Sequence, residues 1–440
     1  MANTMSTMSI RGRPLPITHA YLLVTHIPYF VDDEGAVWLE RLWHRDFVRH
    51  LAYLQRLTVA APQYRSAHAA GYDLVRVEIL PNSNVRFVPL PKQESVGRSL
   101  KNLPRTAAVL WKSISTADLV HSGVVGWPFP IGWIANAIAI MRRKPLIIVV
   151  ESTPWRLVGG QGEGGRGPLW AAFSEALARW SVNHASVRIF TQASYQQSLF
   201  TGGKGPSFVM PASWVNEDDV LDGDVARELW QRKRQASRVR MLFAGRLTSQ
   251  KGVEILLEAI GILSDHGVAL DIDIAGEGPL KPRCHAVSQE HAEPRVRILD
   301  PVAYGADFFE LIRQYNVVLV PSLSDEQPRI VFDAFSQAVP VIAANTDGLR
   351  PHVVPDVNGW LVTRSDARAL AAVIVEAVAS PEMLERFGLA AVQRARLLTH
   401  GQMHFERWQR LVELFGAGSR EANPPPKAGA APLGHASKSE

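Results

Sequence analysis

Short apolar runs that read as strands alternate with longer runs at helical spacing, and this alternation passes through the chain twice. Strands separated by helices lie parallel, in a sheet whose two faces the helices cover. In the first pass the strand-like runs are Ala20–Val24, Leu57–Ala61, Asp73–Ile79, Asp118–His121, Leu146–Glu151, Val187–Thr191 and Ser207–Met210. A helical pattern covers Ala36–Gln55. In the second pass the strands are Val239–Ala244, Ala269–Ala275, Arg295–Leu299, Val317–Pro321, Val339–Ala343 and Gly359–Val362. The expected fold class is therefore α/β: two doubly wound domains, residues 1–215 and 238–400, facing each other across a cleft. Ligands of such sheets bind beyond the carboxyl ends of the strands. The polar stretch Asn216–Ser237 reads as the interdomain connection. A last helical pattern over 401–415 can pack back on the first domain, and the Gly-, Pro-, Ala- and Lys-rich segment 416–440 reads as a disordered tail.

Composition bounds the partners. The chain has 440 residues, 47% of them hydrophobic, which supplies two cores. The formal charge of +5 suits an anionic ligand or an anionic membrane surface, but the basic residues are spread out and no nucleic-acid recognition motif appears. A single cysteine, Cys284, excludes an internal disulfide. The N-terminus does not read as a signal peptide, and no run of about 18 uninterrupted apolar residues marks a membrane span. The nearest run, Val124–Met141, is interrupted by Gly126, Pro128, Pro130, Gly132 and Asn136 and reads as a loop followed by a buried helix. A cytoplasmic protein is expected, with peripheral contact at the inner membrane through aromatic stretches at Trp38–Trp43 and Trp127–Trp133 and the basic Arg142–Lys144; core packing also accounts for those aromatics. The glycine-rich Gly159–Pro168 lacks phosphate-loop spacing and reads as a surface loop or acceptor lid.

Three segments carry chemistry. In MLFAGRLTSQKGVEILLEAI, residues 241–260, a strand gives way to Arg246, a short polar loop, Lys251 and then a helix. Two cations beside a helix start can neutralise a diphosphate as a divalent metal does elsewhere; solvated loop charges are the plainer reading. In DIDIAGEGPL, residues 271–280, Gly276 and Gly278 permit close backbone approach, either to a nucleotide in the cleft or to a neighbouring loop. In VPSLSDEQPRIVFDAFSQAVPVIAANTDGL, residues 320–349, Asp325 precedes a helix and Asp333 lies about one turn inside it, with the N–H groups of Arg329 and Ile330 between them. Carboxylates accept from pairs of sugar hydroxyls. Capping explains Asp325 and Glu326, but not Asp333 among Val331, Phe332, Ala334 and Phe335.

Together FAGRL…KGVE, IAGEGPL, the acidic pair, AVPVIA…DGL and NGWLV resemble the donor domain of retaining glycosyltransferases of family 4, over residues 241–362. The resemblance implies the GT-B fold of two Rossmann-like domains. It implies that Arg246 and Lys251, with Arg329 and Ile330, hold the donor diphosphate, that Asp325 contacts the donor sugar, and that Asp333 binds ribose hydroxyls. The family usually has glutamate at both acidic positions; this chain has aspartate, and Pro328 and Asp347 replace usual glycines. In the first domain His121 matches a histidine that the family often places near the donor sugar. Gly35 is expected to line the diphosphate pocket by close backbone approach, and Glu151 to touch acceptor or donor sugar.

The expected activity is transfer of a sugar from a nucleotide-diphosphate sugar to a glycan or lipid-linked acceptor, with retention, no cofactor and no metal. The triplets Asp271–Ile272–Asp273 and Asp222–Gly223–Asp224 show no third metal ligand nearby in sequence. Other readings are a hydrolase or epimerase on the same fold, or a non-catalytic nucleotide-sugar-binding subunit.

Overall fold

A computed structural model describes residues 16–66, 71–78, 84–92, 94–126, 129–156, 167–324, 326–327 and 329–416. In chain order the first unit contains β1 (Ile17–Val24), β2 (Tyr29–Val31), β3 (Val37–Glu40), α1 (Arg41–Leu51), β4 (Leu54–Arg65), β5 (Leu74–Arg76), β6 (Asn84–Leu90), α2 (Val96–Lys101), α3 (Leu103–Thr116), β7 (Leu119–Gly123), α4 (Ile131–Met141), β8 (Leu146–Val150), α5 (Pro168–His184), β9 (Val187–Phe190), α6 (Ala193–Leu199) and β10 (Ser207–Val209). After α7 (Gly223–Arg234) come β11 (Arg240–Ala244), α8 (Val253–Asp265), β12 (Asp271–Ala275), α9 (Lys281–Glu290), β13 (Arg295–Leu299), α10 (Ala306–Arg313), β14 (Val317–Val320), α11 (Ile330–Ser336), β15 (Val341–Ala344), β16 (Gly359–Val362), α12 (Ala367–Ala379), α13 (Pro381–Ala395) and α14 (His400–Phe415).

The first sheet runs β10-β9-β8-β7-β1-β4, with β6 also paired to β4, all in parallel. Its central strand β8, LIIVV, is buried at every position, as a strand covered on both faces must be. An antiparallel flap, β2-β3-β5, extends the C-terminal end of β4. This flap departs from the expected pattern. The helix expected over Ala36–Gln55 begins only at Arg41, because the Glu40 carboxylate accepts from the N–H groups of Leu42 and Trp43 and caps α1 there. The unexpected β6 carries Pro89, which an edge strand tolerates.

The second sheet is entirely parallel, in the order β13-β12-β11-β14-β15-β16. Its strands alternate sides: Met241, Phe243, Val317 and Leu319 face a core with α7, α8, α12 and α13, while Leu242, Val318 and Val320 face α10 and α11. The stretch read as a connection thus contributes α7 to the second core. Its Trp230 is 1% exposed and donates Nε1–H to the Ala338 carbonyl at 2.9 Å. After α13 the chain returns to the first unit. Leu411 of α14 is buried among Tyr21, Leu23 and Leu57, and the His400 amide donates to the Val215 carbonyl at 2.7 Å. No helix of the described residues is long and apolar enough to cross a membrane. The expected tail lies outside the described residues from 417 onward, as does the loop 157–166.

Candidate active site

In the second sheet β11 has β12 on one side and β14 on the other, so the loops after β11 and β14 leave toward opposite faces and open a crevice between them. The sequence places its cations after the first of these strands and its acids after the second. Beyond β11, residues 249–251 form a single 3-10 turn that carries Lys251, and Gly252 then turns the chain into α8 with φ of 73°. A Cβ on Gly252 would lie 1.8 Å from the Pro321 carbonyl oxygen at the end of β14. Glycine is needed because the two loops touch. They are also bonded: the Leu323 amide donates to the Gln250 carbonyl at 2.9 Å, and the Ser322 hydroxyl to the same oxygen at 3.3 Å.

This contact brings Lys251 within the fields of Glu326, Arg246 and Arg329. Burial lowers the Lys251 ammonium from its usual range; Glu326 opposes this, and the two arginines add to it. Repulsion among three cations is what a polyanion relieves on binding. Arg329 also lies over the Trp214 ring at 5.6 Å. Arg329 and Ile330 stand at the start of α11, whose 7 residues make its dipole a small contribution beside the cationic side chains. Gly276 and Gly278 have a structural role: a Cβ on either would meet the Gly245 carbonyl at 1.9 Å or the Leu247 carbonyl at 2.5 Å. They let the β12–α9 turn seat the loop that bears Arg246, held by Leu247 N–H to Glu277 O at 2.8 Å.

Asp333 is 4% exposed and accepts from the Tyr304 hydroxyl at 2.9 Å. Burial pushes its carboxyl up to about 7, against the pull of the Tyr304 hydrogen bond and of Arg329. Arg45 of α1 also acts on it, so residues of both units face this carboxylate. Asp325 and Pro328 lie outside the described residues. Glu326 and Tyr304 are site residues that sequence reasoning missed; Glu326, next to Asp325, read as a second capping acid, and no signal marked Tyr304.

From the first unit, His121 lies near the end of β7, buried, with Nδ1 2.9 Å from the Tyr21 hydroxyl. Burial and then Arg407 hold its imidazole well below the usual pKa, so it is neutral. Glu151, just past β8, is open to solvent yet walled in; burial and Asp46 raise its carboxyl, while Arg407 and, from the other unit, Arg329 lower it. Glu151 of the first unit thus lies within the field of Arg329 of the second. Gly35 is placed otherwise than expected. It sits in the exposed β2–β3 turn at φ of 82°, its amide donating to the Asp32 carbonyl at 3.1 Å, and that turn accounts for the glycine.

The acidic triplets are engaged elsewhere. Asp273 binds Arg297 at 2.8 and 2.6 Å and the Tyr315 hydroxyl at 2.6 Å, Asp271 pairs with Arg238, and Asp222 caps α7.

Residues 238–380 match the family model described as "Glycosyl transferases group 1". Among curated relatives, the putative colanic acid biosynthesis glycosyltransferase WcaL of Escherichia coli is 28% identical over 171 residues, 37% of this chain and 41% of that protein. D-inositol 3-phosphate glycosyltransferase of Streptomyces griseus is 30% identical over 35% of each chain. The chain thus spans about two fifths of the length of these relatives. Sucrose-phosphate synthase of Thermosynechococcus elongatus superposes with a TM-score of 0.64 at 18% identity, over 90% of this chain and 99% of the other. HepE of Anabaena in complex with UDP does so at 0.61 and 17%, with the same coverage. The chain has the GT-B fold of these structures, and its residues 238–380 resemble the glycosyl transferases group 1 family.

Proposed function

We propose that this chain is a retaining glycosyltransferase of family 4, which moves a hexosyl group from a nucleotide-diphosphate sugar to a glycan or lipid-linked acceptor without a metal at the diphosphate. The observation that carries this reading is the gathering of Arg246, Lys251 and Arg329 at the switch point of the second sheet, with Glu151 of the first unit within the field of Arg329. Charge develops on the diphosphate as the sugar leaves, and fixed cations in a partly dehydrated crevice stabilise it without reorganising. Asp333 holds the ribose hydroxyls and Asp325 the donor sugar. The buried Tyr21 hydroxyl stays protonated and donates to Nδ1 of His121, so Nε2 keeps its hydrogen and donates to a sugar hydroxyl. Being neutral, His121 acts as a donor and orienting group, and the leaving phosphate takes the acceptor proton.

The HepE structures with UDP and with UDP-glucose make uridine nucleotides the first donors to try. Relatives named for colanic acid and amylovoran biosynthesis favour a polysaccharide acceptor. Phe129, Trp133, Trp170 and Phe173 cluster with ring centroids 5.5–5.9 Å apart, and Leu169 beside them is 86% exposed. That apolar surface suits a lipid-linked acceptor, and Arg142, stacked on the half-exposed Trp111, suits peripheral contact with anionic lipid on the cytoplasmic side. The test is incubation with a panel of nucleotide sugars and acceptors, with products read by mass spectrometry and anomers by NMR. An acceptor-dependent product of retained configuration is expected. An inverted anomer contradicts retention. Free sugar without acceptor identifies a hydrolase, and tight donor binding without turnover identifies a non-catalytic subunit.

A further inference from the structure

Close to His121, whose ring lies 6.1 Å from that of His50, α14 turns two histidines one helical turn apart toward the first unit. His400 and His404 place their Nε2 atoms 3.2 and 2.9 Å from the same oxygen, Oδ1 of Asp46 on α1. All three donor atoms lie within 4.8 Å of one another. The histidine side chains are 1% and 3% exposed and the aspartate 16%. We propose that Asp46, His400 and His404 bind a transition-metal ion of the zinc type, which fastens the C-terminal helix to the first unit.

Two imidazole nitrogens and one carboxylate oxygen are a zinc donor set rather than a magnesium or calcium one. Ligand atoms about 2.1 Å from a tetrahedral ion stand roughly 3.4 Å from each other, close to the two histidine–aspartate separations here. The surroundings orient one of the two histidines as such sites require, while Nδ1 of His400 is buried without a hydrogen-bond partner. Nδ1 of His404 lies 3.2 Å from the Tyr53 hydroxyl, which accepts its hydrogen when Nε2 turns its lone pair to a metal. His50 is not a ligand. Arg407 can only donate, so the His50 Nε2 that faces it at 3.2 Å must accept; Nδ1 then carries the hydrogen and gives it to the Asp46 carbonyl at 2.9 Å, with the Asp46 carboxylate also near at 3.3 Å. His50 thereby steadies the aspartate and leaves Oδ1 to the two histidines. The partial exposure of Asp46 leaves the site an edge open to solvent. The ligands lie 354 and 358 residues apart in sequence, so an ion here closes nearly the whole chain into a loop.

The full-length chain, stripped with chelator and dialysed against zinc, is assayed for metal by mass spectrometry, and cobalt(II) is used as an absorbing probe of coordination. One zinc per chain is expected, together with the intense visible bands of tetrahedral cobalt. At zinc 100-fold above its dissociation constant, the folded-to-unfolded ratio rises about 100-fold. His400→Gln and His404→Gln keep a hydrogen-bond donor for Asp46 but should lose zinc affinity by more than about 100-fold, and their melting should not respond to zinc. Failure of the folded wild-type chain to retain stoichiometric zinc overturns the proposal, even where the variants do not fold. So does unchanged zinc affinity in both glutamine variants. No readout involves sugar transfer, so the result is independent of the proposed activity.

Discussion

Donor binding should depend on pH through Asp333. Its folded carboxyl titrates at about 7 instead of its ordinary 3.8, chiefly because it is buried. An ionised carboxylate accepts two ribose hydroxyls, whereas a protonated one spends an oxygen on its own hydrogen. With a pKa near 7 the ionised fraction rises roughly tenfold between pH 6 and pH 8, so affinity for a nucleotide sugar should rise by about that factor. A nucleotide sugar is the right probe, because its diphosphate diester stays fully ionised across this range. The lowered Lys251 has the opposite sign, since losing its charge weakens anion binding as pH rises. The linked stability has a definite sign. Unfolded, Asp333 ionises near 3.8, and folded near 7, so the folded state holds the proton between these values and loses relative stability as pH rises to about 7. The ceiling on that loss is about 4 kcal/mol. Asp333→Asn should therefore melt higher than the wild type at pH 8 and bind donor with no rise between pH 6 and 8. Calorimetric titration across pH measures both enzymes. A flat wild-type profile, or an equally steep one in the asparagine variant, refutes the assignment of Asp333 to the donor.

Three further outcomes follow from packing. Gly252→Ala should cost about 1–2 kcal/mol from the left-handed backbone alone and more from the clash with the Pro321 carbonyl, lowering both melting temperature and diphosphate affinity because the Lys251 loop must shift. Leu411→Ala empties a fully buried position between α14 and the first sheet and should cost about 2–5 kcal/mol in denaturant unfolding. Trp230→Ala should cost about 3–5 kcal/mol and destabilise the second unit, showing that α7 belongs to its core and is not a linker.

The second unit was largely legible because strands such as β14, VVLV, and β15, VIAA, are apolar runs and its chemistry is concentrated at strand ends. What the letters could not show is how the loops meet. Gly276 and Gly278 carry the same residue type whether they approach a nucleotide or the Leu247 carbonyl, and only the fold places the neighbouring backbone there. Gly35 misled for a related reason, since a turn of positive φ and a phosphate pocket both call for glycine. Strands β2 and β3 of the flap escaped notice because three- and four-residue strands are too short to show a period. The polar composition of Asn216–Ser237 hid α7, which buries one face through Ala226 and Trp230 and leaves the charged face to solvent. The Asp46–His400–His404 group joins residues from opposite ends of the chain, a pairing that neither local sequence suggests.

The central claim is that a diphosphate is held by Arg246 and Lys251 at the switch point of the second sheet. Titration of UDP into the wild type, Arg246→Ala and Lys251→Ala, with circular dichroism confirming that all three are folded, tests it most directly. The account predicts saturable binding to the wild type and a loss of about ten- to a hundredfold in each variant, as expected for removing a charge-assisted hydrogen bond. Equal affinity in all three folded proteins contradicts it.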